Sequence, residues 1–169
     1  MTYRHWMPFV VTLATPFALS ADEQDKEFLK EAISADLAEI QLGRLAQEKG
    51  QSQEVRDFGR TLVTDHEDAL EDARDAAEDE GVTPPQQPSA EAQRDYQRLS
   101  QLSGAEFDRE FARHMAMDHQ KDIAKFEKQA SRETAGDDSE ATEHAKDTLP
   151  ALEKHLKIAQ SIESDAVRR

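Results

Sequence analysis

Phe111-Ala-Arg-His-Met-Ala-Met-Asp-His119, running on through Gln-Lys-Asp122 to Phe126, is the stretch whose reading decides the fold. Phe111, Met115 and Phe126 recur at helical spacing, and Asp118, His119 and Asp122 fall on the same side of that helix. An apolar stripe broken by two carboxylates and an imidazole is unfavourable unless those groups are paired, hydrated or bound to a metal. The same pattern stands earlier in the chain as Phe58-Gly-Arg-Thr-Leu-Val-Thr-Asp-His66. In both copies Arg follows Phe by two residues, an apolar residue follows by four, and Asp-His closes the run.

Working outward, four long helices are expected. The first spans about Asp22 to Lys49, with Phe28, Leu29, Ile33, Asp36, Leu37, Ile40 and Gly43 near one face, Glu39 one position off it, and Gly50 as terminator. Ser52 can cap the second, which carries Val55, Phe58, Leu62, His66 and Leu70 towards Gly81. Its opposite face, from Glu67 to Asp79, reads as solvated charge. The third starts at a capping-box pattern, Ser103-Gly-Ala-Glu106, and reaches about Ser131. After a turn at Gly136-Asp-Asp-Ser139 the fourth carries Ala145, Leu149, Leu152, Leu156, Ala159 and Ile162, with His155 alongside. Pro150 either kinks this helix or marks a later start near Thr148. Between helices two and three, residues 82–101 hold the breaker cluster Thr83-Pro-Pro-Gln-Gln-Pro-Ser89 and room for a short helix around Ala90–Leu99. A connection of that length is expected where a chain must cross to a non-neighbouring helix. The fold class is therefore all-α, a ferritin-like four-helix bundle with a long crossover between helices two and three.

Composition narrows the function. The 169 residues carry 36 Asp and Glu against 21 Lys and Arg, a net charge of −15, which excludes a basic surface for nucleic acid and disfavours anionic lipid. No Cys is present, so disulfides and thiolate metal sites are excluded. Residues 1–20 differ from the rest: Arg4, an apolar Met7–Leu19 run and Ala18-Leu-Ser20 read as a secretory signal peptide. The mature domain, 21–169, is then expected in a periplasm or outside the cell, with no stable membrane insertion after processing.

Five histidines fall in that domain: His66, His114, His119, His144 and His155. His66, His119 and His155 lie on or beside core stripes of three helices, and Glu39 and Asp36 do so on the fourth. Bundles build metal centres from inward-facing side chains of this kind. Asp65 and Asp118 could serve as ligands or as acceptors orienting a histidine of another helix. His114 and His144 are expected at the rim or exposed, and Met115 and Met117 as core filler.

Glu39-Ile-Gln-Leu-Gly-Arg-Leu-Ala46, Val55-Arg-Asp-Phe-Gly59 with Asp65-His66, Leu102-Ser-Gly-Ala-Glu-Phe-Asp108, Met115–His119 and Leu149-Pro-Ala-Leu-Glu-Lys-His155 together resemble the bacterial domain of unknown function 4142. The resemblance covers about residues 24–162 and implies a secreted or periplasmic, ferritin-like helical protein, often labelled an outer-membrane protein. It brings no established activity, and it places a metal site at Glu39, His66, His119 and His155. None of the five histidines has Glu three residues before it, so the Glu-x-x-His pairs of di-iron centres are missing.

The expected function is binding of a transition-metal ion (zinc, iron or copper) by Glu39, His66, His119 and His155, supported by Asp65, Asp118 and Asp122, in metal handling or envelope stress tolerance. A redox enzyme at the same centre and a metal-free structural or partner-binding module are the alternatives. The expected processing is directly measurable: intact-mass analysis of exported protein should give a first residue near Ala21, and retention of residues 1–20 would contradict it.

Overall fold

The computed structural model describes residues 19–132 and 139–168. The signal-peptide reading of residues 1–18 and the turn at residues 136–138 lie outside them. Among the described residues all regular structure is helical: α1 (Ala21–Lys49), α2 (Gln53–Asp79), α3 (Ala90–Ser100), α4 (Gly104–Ala130) and α5 (Glu140–Arg168). Five helices stand where four long ones were expected, because the connection between α2 and α4 does fold into α3, capped by the Ser89 hydroxyl on the Ala92 amide. No helix among the described residues is long and apolar enough to cross a membrane.

Local chemistry sets most helix ends. Ser20 and Glu23 form a reciprocal capping box at the start of α1, and the Ser52 hydroxyl accepts from the Val55 amide at the start of α2. Gly50 ends α1 for lack of space: a Cβ there would lie 2.6 Å from the Ala46 carbonyl oxygen and 2.8 Å from Val55. The box expected at Ser103 does not form. Ser103 holds the N-cap position, but its hydroxyl makes no cap bond, and Gly104 adopts φ +60, which turns the chain out of the geometry that aims a cap hydroxyl at the third amide. Pro150 sits inside a helix that begins at Glu140, so the later start near Thr148 is overturned. Pro150 itself is exposed.

Pairings at the two ends fix the directions of the long helices. At one end Gln129, late in α4, donates to Asp25, early in α1, and to Thr142, early in α5. At the other, Asp108 in the first turns of α4 accepts from the backbone amides of Gln51 and Ser52, both at 2.8 Å. Thus α1 and α5 run one way and α2 and α4 the other. The segment from Glu80 to Ser103 brings the chain back to the end where α2 began. The tightest packing is within the pairs α1–α2 and α4–α5, with α3 laid against α1 and α4.

The interior consists of two apolar clusters. One gathers Phe28, Leu29, Ile33, Leu70, Phe126 and Leu152; the other Leu42, Phe58, Leu62, Phe107, Phe111 and Met115. Leu156, expected in the core, is only half-buried against the second cluster, and Met117 is 46% exposed beside Arg113. On α2, α4 and α5 the sequence passes from one cluster to the other across His66, His119 and His155, and on α1 Asp36 and Glu39 stand in the last turns of the first cluster, which ends at Ile40.

Gly43 and Gly59 let α1 and α2 approach. A Cβ on Gly59 would stand 2.6 Å from the Gly43 carbonyl oxygen, and one on Gly43 would stand 2.8 Å from that of Gly59. Alanine at a helix interior gains about 1 kcal/mol in propensity, but overpacking against backbone costs about 1–3 kcal/mol. Gly59→Ala should therefore lower stability in urea unfolding. A more stable variant would show that the helices part without penalty.

Candidate metal centre

Helical register brings three imidazoles together. His66 on α2, His119 on α4 and His155 on α5 each present one ring nitrogen, and these atoms all lie within 4.8 Å of one another. Their ring centroids form a triangle of 5.2, 5.2 and 5.8 Å. Exposure is 4% for His66, 0% for His119 and 1% for His155, so the cluster is screened from water.

The outward nitrogens have partners. His66 Nδ1 meets Asp36 Oδ1 at 2.8 Å, His155 Nε2 meets Asp65 Oδ2 at 2.8 Å, and His119 Nδ1 meets the Met115 carbonyl oxygen at 3.0 Å. Each of those partners is an acceptor, so each outward nitrogen is best satisfied as the N–H. The inward nitrogens are then lone pairs. His119 Nε2 and His155 Nδ1 face each other at 3.2 Å, and His66 Nε2 has no hydrogen-bond partner.

Counting protons sharpens this. From Met115 O through His119 and His155 to Asp65 runs a line of three contacts, and two neutral rings supply only two protons. Whichever tautomers are chosen, one contact sets acceptor against acceptor. A third proton would cure it, but burial, with the neighbouring histidine charges, pushes His119 down to about 3. Burial and the His66 charge push His155 down to about 4, against the Asp65 hydrogen bond. A cation between the nitrogens removes the conflict. Two nitrogens each about 2.0–2.1 Å from an ion and roughly 100° apart would lie about 3.2 Å from each other, which matches the separation of these two. A buried three-histidine group of this kind could hold a metal ion.

The carboxylates divide by role. Asp65 is not in the cluster; it accepts from His155 and from Lys154 at 3.1 Å, the orienting role across helices. Asp36 does the same for His66 and is the acceptor that a ligand set centred on Glu39 leaves out; its signal was its place on the α1 stripe. Glu39 is buried with Oε2 unpartnered, outside the set of mutually close ligand atoms. Burial raises Glu39 to about 8, opposed by the His66 charge and helped by Asp118, Asp122 and Asp36. Asp118 pairs with His114 at 3.2 Å and Lys121 at 3.5 Å, away from the cluster. Asp122 is half-buried, and burial lifts it to about 6 against the pull of Lys125.

His114 and His144 are both buried, contrary to the expectation that they sit at the rim. His114 folds back on Asp118 one turn along α4, and His144 lies against Phe28 and Phe126, with centroids 6.4 and 6.0 Å away. Neither belongs to the three-nitrogen cluster.

Fold and centre together define an all-helical protein with a buried three-imidazole group suited to a metal ion. The chain belongs to the family described as domain of unknown function DUF4142, whose model matches residues 11–162. No curated protein and no solved structure matches it.

These shifts fix how stability of the metal-free protein follows pH. Burial opposes the His66 charge, but the Asp36 hydrogen bond and the charges of Glu39, Asp36 and Asp122 outweigh it, so His66 titrates above 6.5. Groups raised on folding, Glu39 and His66, contribute stability that is lost as pH rises through their folded values, for Glu39 about 8. Groups depressed on folding, His119 and His155, make the protein less stable as pH falls below 6.5, where the unfolded chain takes protons that the folded one refuses. Urea unfolding in a chelator should give greatest stability near pH 6.5, and Glu39→Gln should flatten the alkaline limb. An alkaline limb unchanged by that substitution would contradict the assignment to Glu39.

Proposed function

We propose that this protein is an exported transition-metal-binding protein, a ferritin-like four-helix arrangement with a long crossover, in which His66 Nε2, His119 Nε2 and His155 Nδ1 hold one ion for metal handling in the periplasm. The observation that carries this reading is the proton shortage at the His119–His155 contact, 3.2 Å apart with both outer nitrogens already committed. Three neutral imidazoles and no thiolate suit zinc, copper or iron(II), and the ion would act as the cation that the buried nitrogens lack. The acceptors Asp36, Met115 O and Asp65 hold the three rings with their lone pairs inward. The role in metal handling extends from binding alone, and tolerance of envelope stress would follow from keeping a reactive ion sequestered.

A second reading has an observation of its own. Three protein ligands, as opposed to four, leave a position for water or substrate, the arrangement of catalytic metal centres. Turnover at the same centre is the alternative, read out as oxidation or hydrolysis by the loaded protein and lost in the same variants.

Calorimetric titration with zinc(II), copper(II) and anaerobic iron(II) tests the binding claim. Wild type should take up one ion per chain, and His66→Ala, His119→Ala and His155→Ala should each weaken binding by more than the roughly 10–100-fold expected for an orienting residue such as Asp65. His144→Ala should leave it unchanged. Uptake should release protons and weaken as pH falls through the His66 value, which lies above 6.5. Equal affinities for wild type and His119→Ala with all three metals would leave the metal-free structural reading standing.

A further inference from the structure

The centre is closed on most sides. The two apolar clusters cover it along the helix axes, and on the α2–α5 face Asp65 holds both His155 and Lys154. Between α1 and α4 the packing differs. There a cavity of about 560 Å³ opens under the α2–α4 connection, with Thr83 and Pro85 and the first turns of α3 forming its outer wall.

Two features of this cavity point to a cation. Its lining holds seven carboxylates against three lysines, and two of those lysines pair with lining carboxylates, Lys125 with Glu31 at 2.9 Å and Lys121 with Asp118 at 3.5 Å. A concave surface of net negative charge concentrates cations and repels anions. Acidic lining alone would be unremarked on so acidic a chain. The second feature is independent of it: Glu39 lines the cavity while only 3% exposed, and its Oε2 has no hydrogen-bond partner. An unpaired buried carboxyl oxygen is unfavourable to maintain.

The floor of the cavity adjoins the centre on both flanking helices. Glu39 is one turn along α1 from Asp36, whose carboxylate holds His66. Asp122 lines the cavity one turn along α4 from His119. The cavity lining and the residues of the centre thus share two helices and stand one turn apart on each.

We propose that this cavity is the path by which a divalent transition-metal ion reaches and leaves the three-histidine centre, with Asp118 and Asp122 gathering the ion and the Glu39 carboxylate passing it inward. The proposal rests on the metal-binding reading above and adds a route and a transfer ligand to it. Glu39 is then a kinetic residue: it meets the ion in transit, and the three imidazoles keep it. A carboxylate that helps the ion in also helps it out, so removing it slows both directions and leaves the equilibrium nearly unchanged.

Stopped-flow absorption with cobalt(II) separates these roles, because the bound ion reports its own occupancy. Glu39→Gln, which removes an oxygen able to bind the ion in transit, should slow association and release together, with little change in affinity. Ala38→Trp, which fills the cavity without removing a carboxylate, should slow both as well; Ala38 lines the same wall. Unchanged rates in both variants would overturn the route and leave the three-histidine centre intact. Faster release with unchanged association in Glu39→Gln would make Glu39 a resident ligand and overturn its transfer role. If Glu39→Gln fails to fold, Ala38→Trp decides the route by itself. Failure of wild type to bind cobalt(II), or binding undiminished in His119→Ala, would instead overturn the centre and the route with it.

Discussion

Three contacts in a row, from the Met115 carbonyl through two neutral imidazoles to Asp65, share two protons, and the polar layer of this protein is organised around that shortage. Buried acceptors set against each other are destabilising, since neither recovers the hydrogen bonds it made in water. The rings cannot turn away. His119 and His155 are almost wholly enclosed, and each is tied at its far nitrogen to a group on its own or a neighbouring helix. His66 completes the set with a third bare nitrogen, held from behind by Asp36. The arrangement is therefore prepared for a positive charge before one arrives.

The position of this layer explains the shape of the rest. Apolar residues form one core on each side of it, so the four long helices are stabilised mainly at their two halves and carry the polar groups between. Large rings brace the layer directly: Phe58 lies 6.1 Å from the His155 ring and meets Phe111 edge-on at 6.1 Å. The glycine pair that draws α1 against α2 and the Asp108 carboxylate that ties α4 to the start of α2 set the register of these helices. Three nitrogens on three helices converge only if that register holds.

Much of this was legible in the sequence. The repeated Phe-to-Asp-His pattern places His66 and His119 on core stripes, and helix spacing alone adds His155; the structure brings these three together. What spacing does not carry is the identity of the neighbour. Asp65 and Asp118 occupy equivalent places in the repeat, yet Asp65 reaches His155 on an adjacent helix while Asp118 turns to His114 on its own. Glu39 and Asp36 lie one turn apart on α1, and only the packing against α2 shows that Asp36 takes His66 and Glu39 faces the cavity. His114 and His144 were misplaced for different reasons: the carboxylate that pairs with His114 is Asp118, four residues on along its own helix and within reach of helix spacing, whereas His144 lies against Phe28 and Phe126 of two other helices, which periodicity does not reveal. Ser103 shows the local limit, where a capping pattern is undone by the positive φ of the next residue.

The claim that the inward nitrogens are lone pairs can be observed without any metal. Long-range proton–nitrogen correlation NMR of the metal-free protein, labelled at the histidine rings, reports which nitrogen of each ring carries the proton. The account predicts Nδ1–H for His119 and Nε2–H for His155, leaving His119 Nε2 and His155 Nδ1 bare at their 3.2 Å contact. A neutral His119 protonated at Nε2 and hydrogen-bonded to His155 Nδ1 would contradict it, because the acceptor conflict would then fall between His119 Nδ1 and the Met115 carbonyl and no pair of bare nitrogens would face inward.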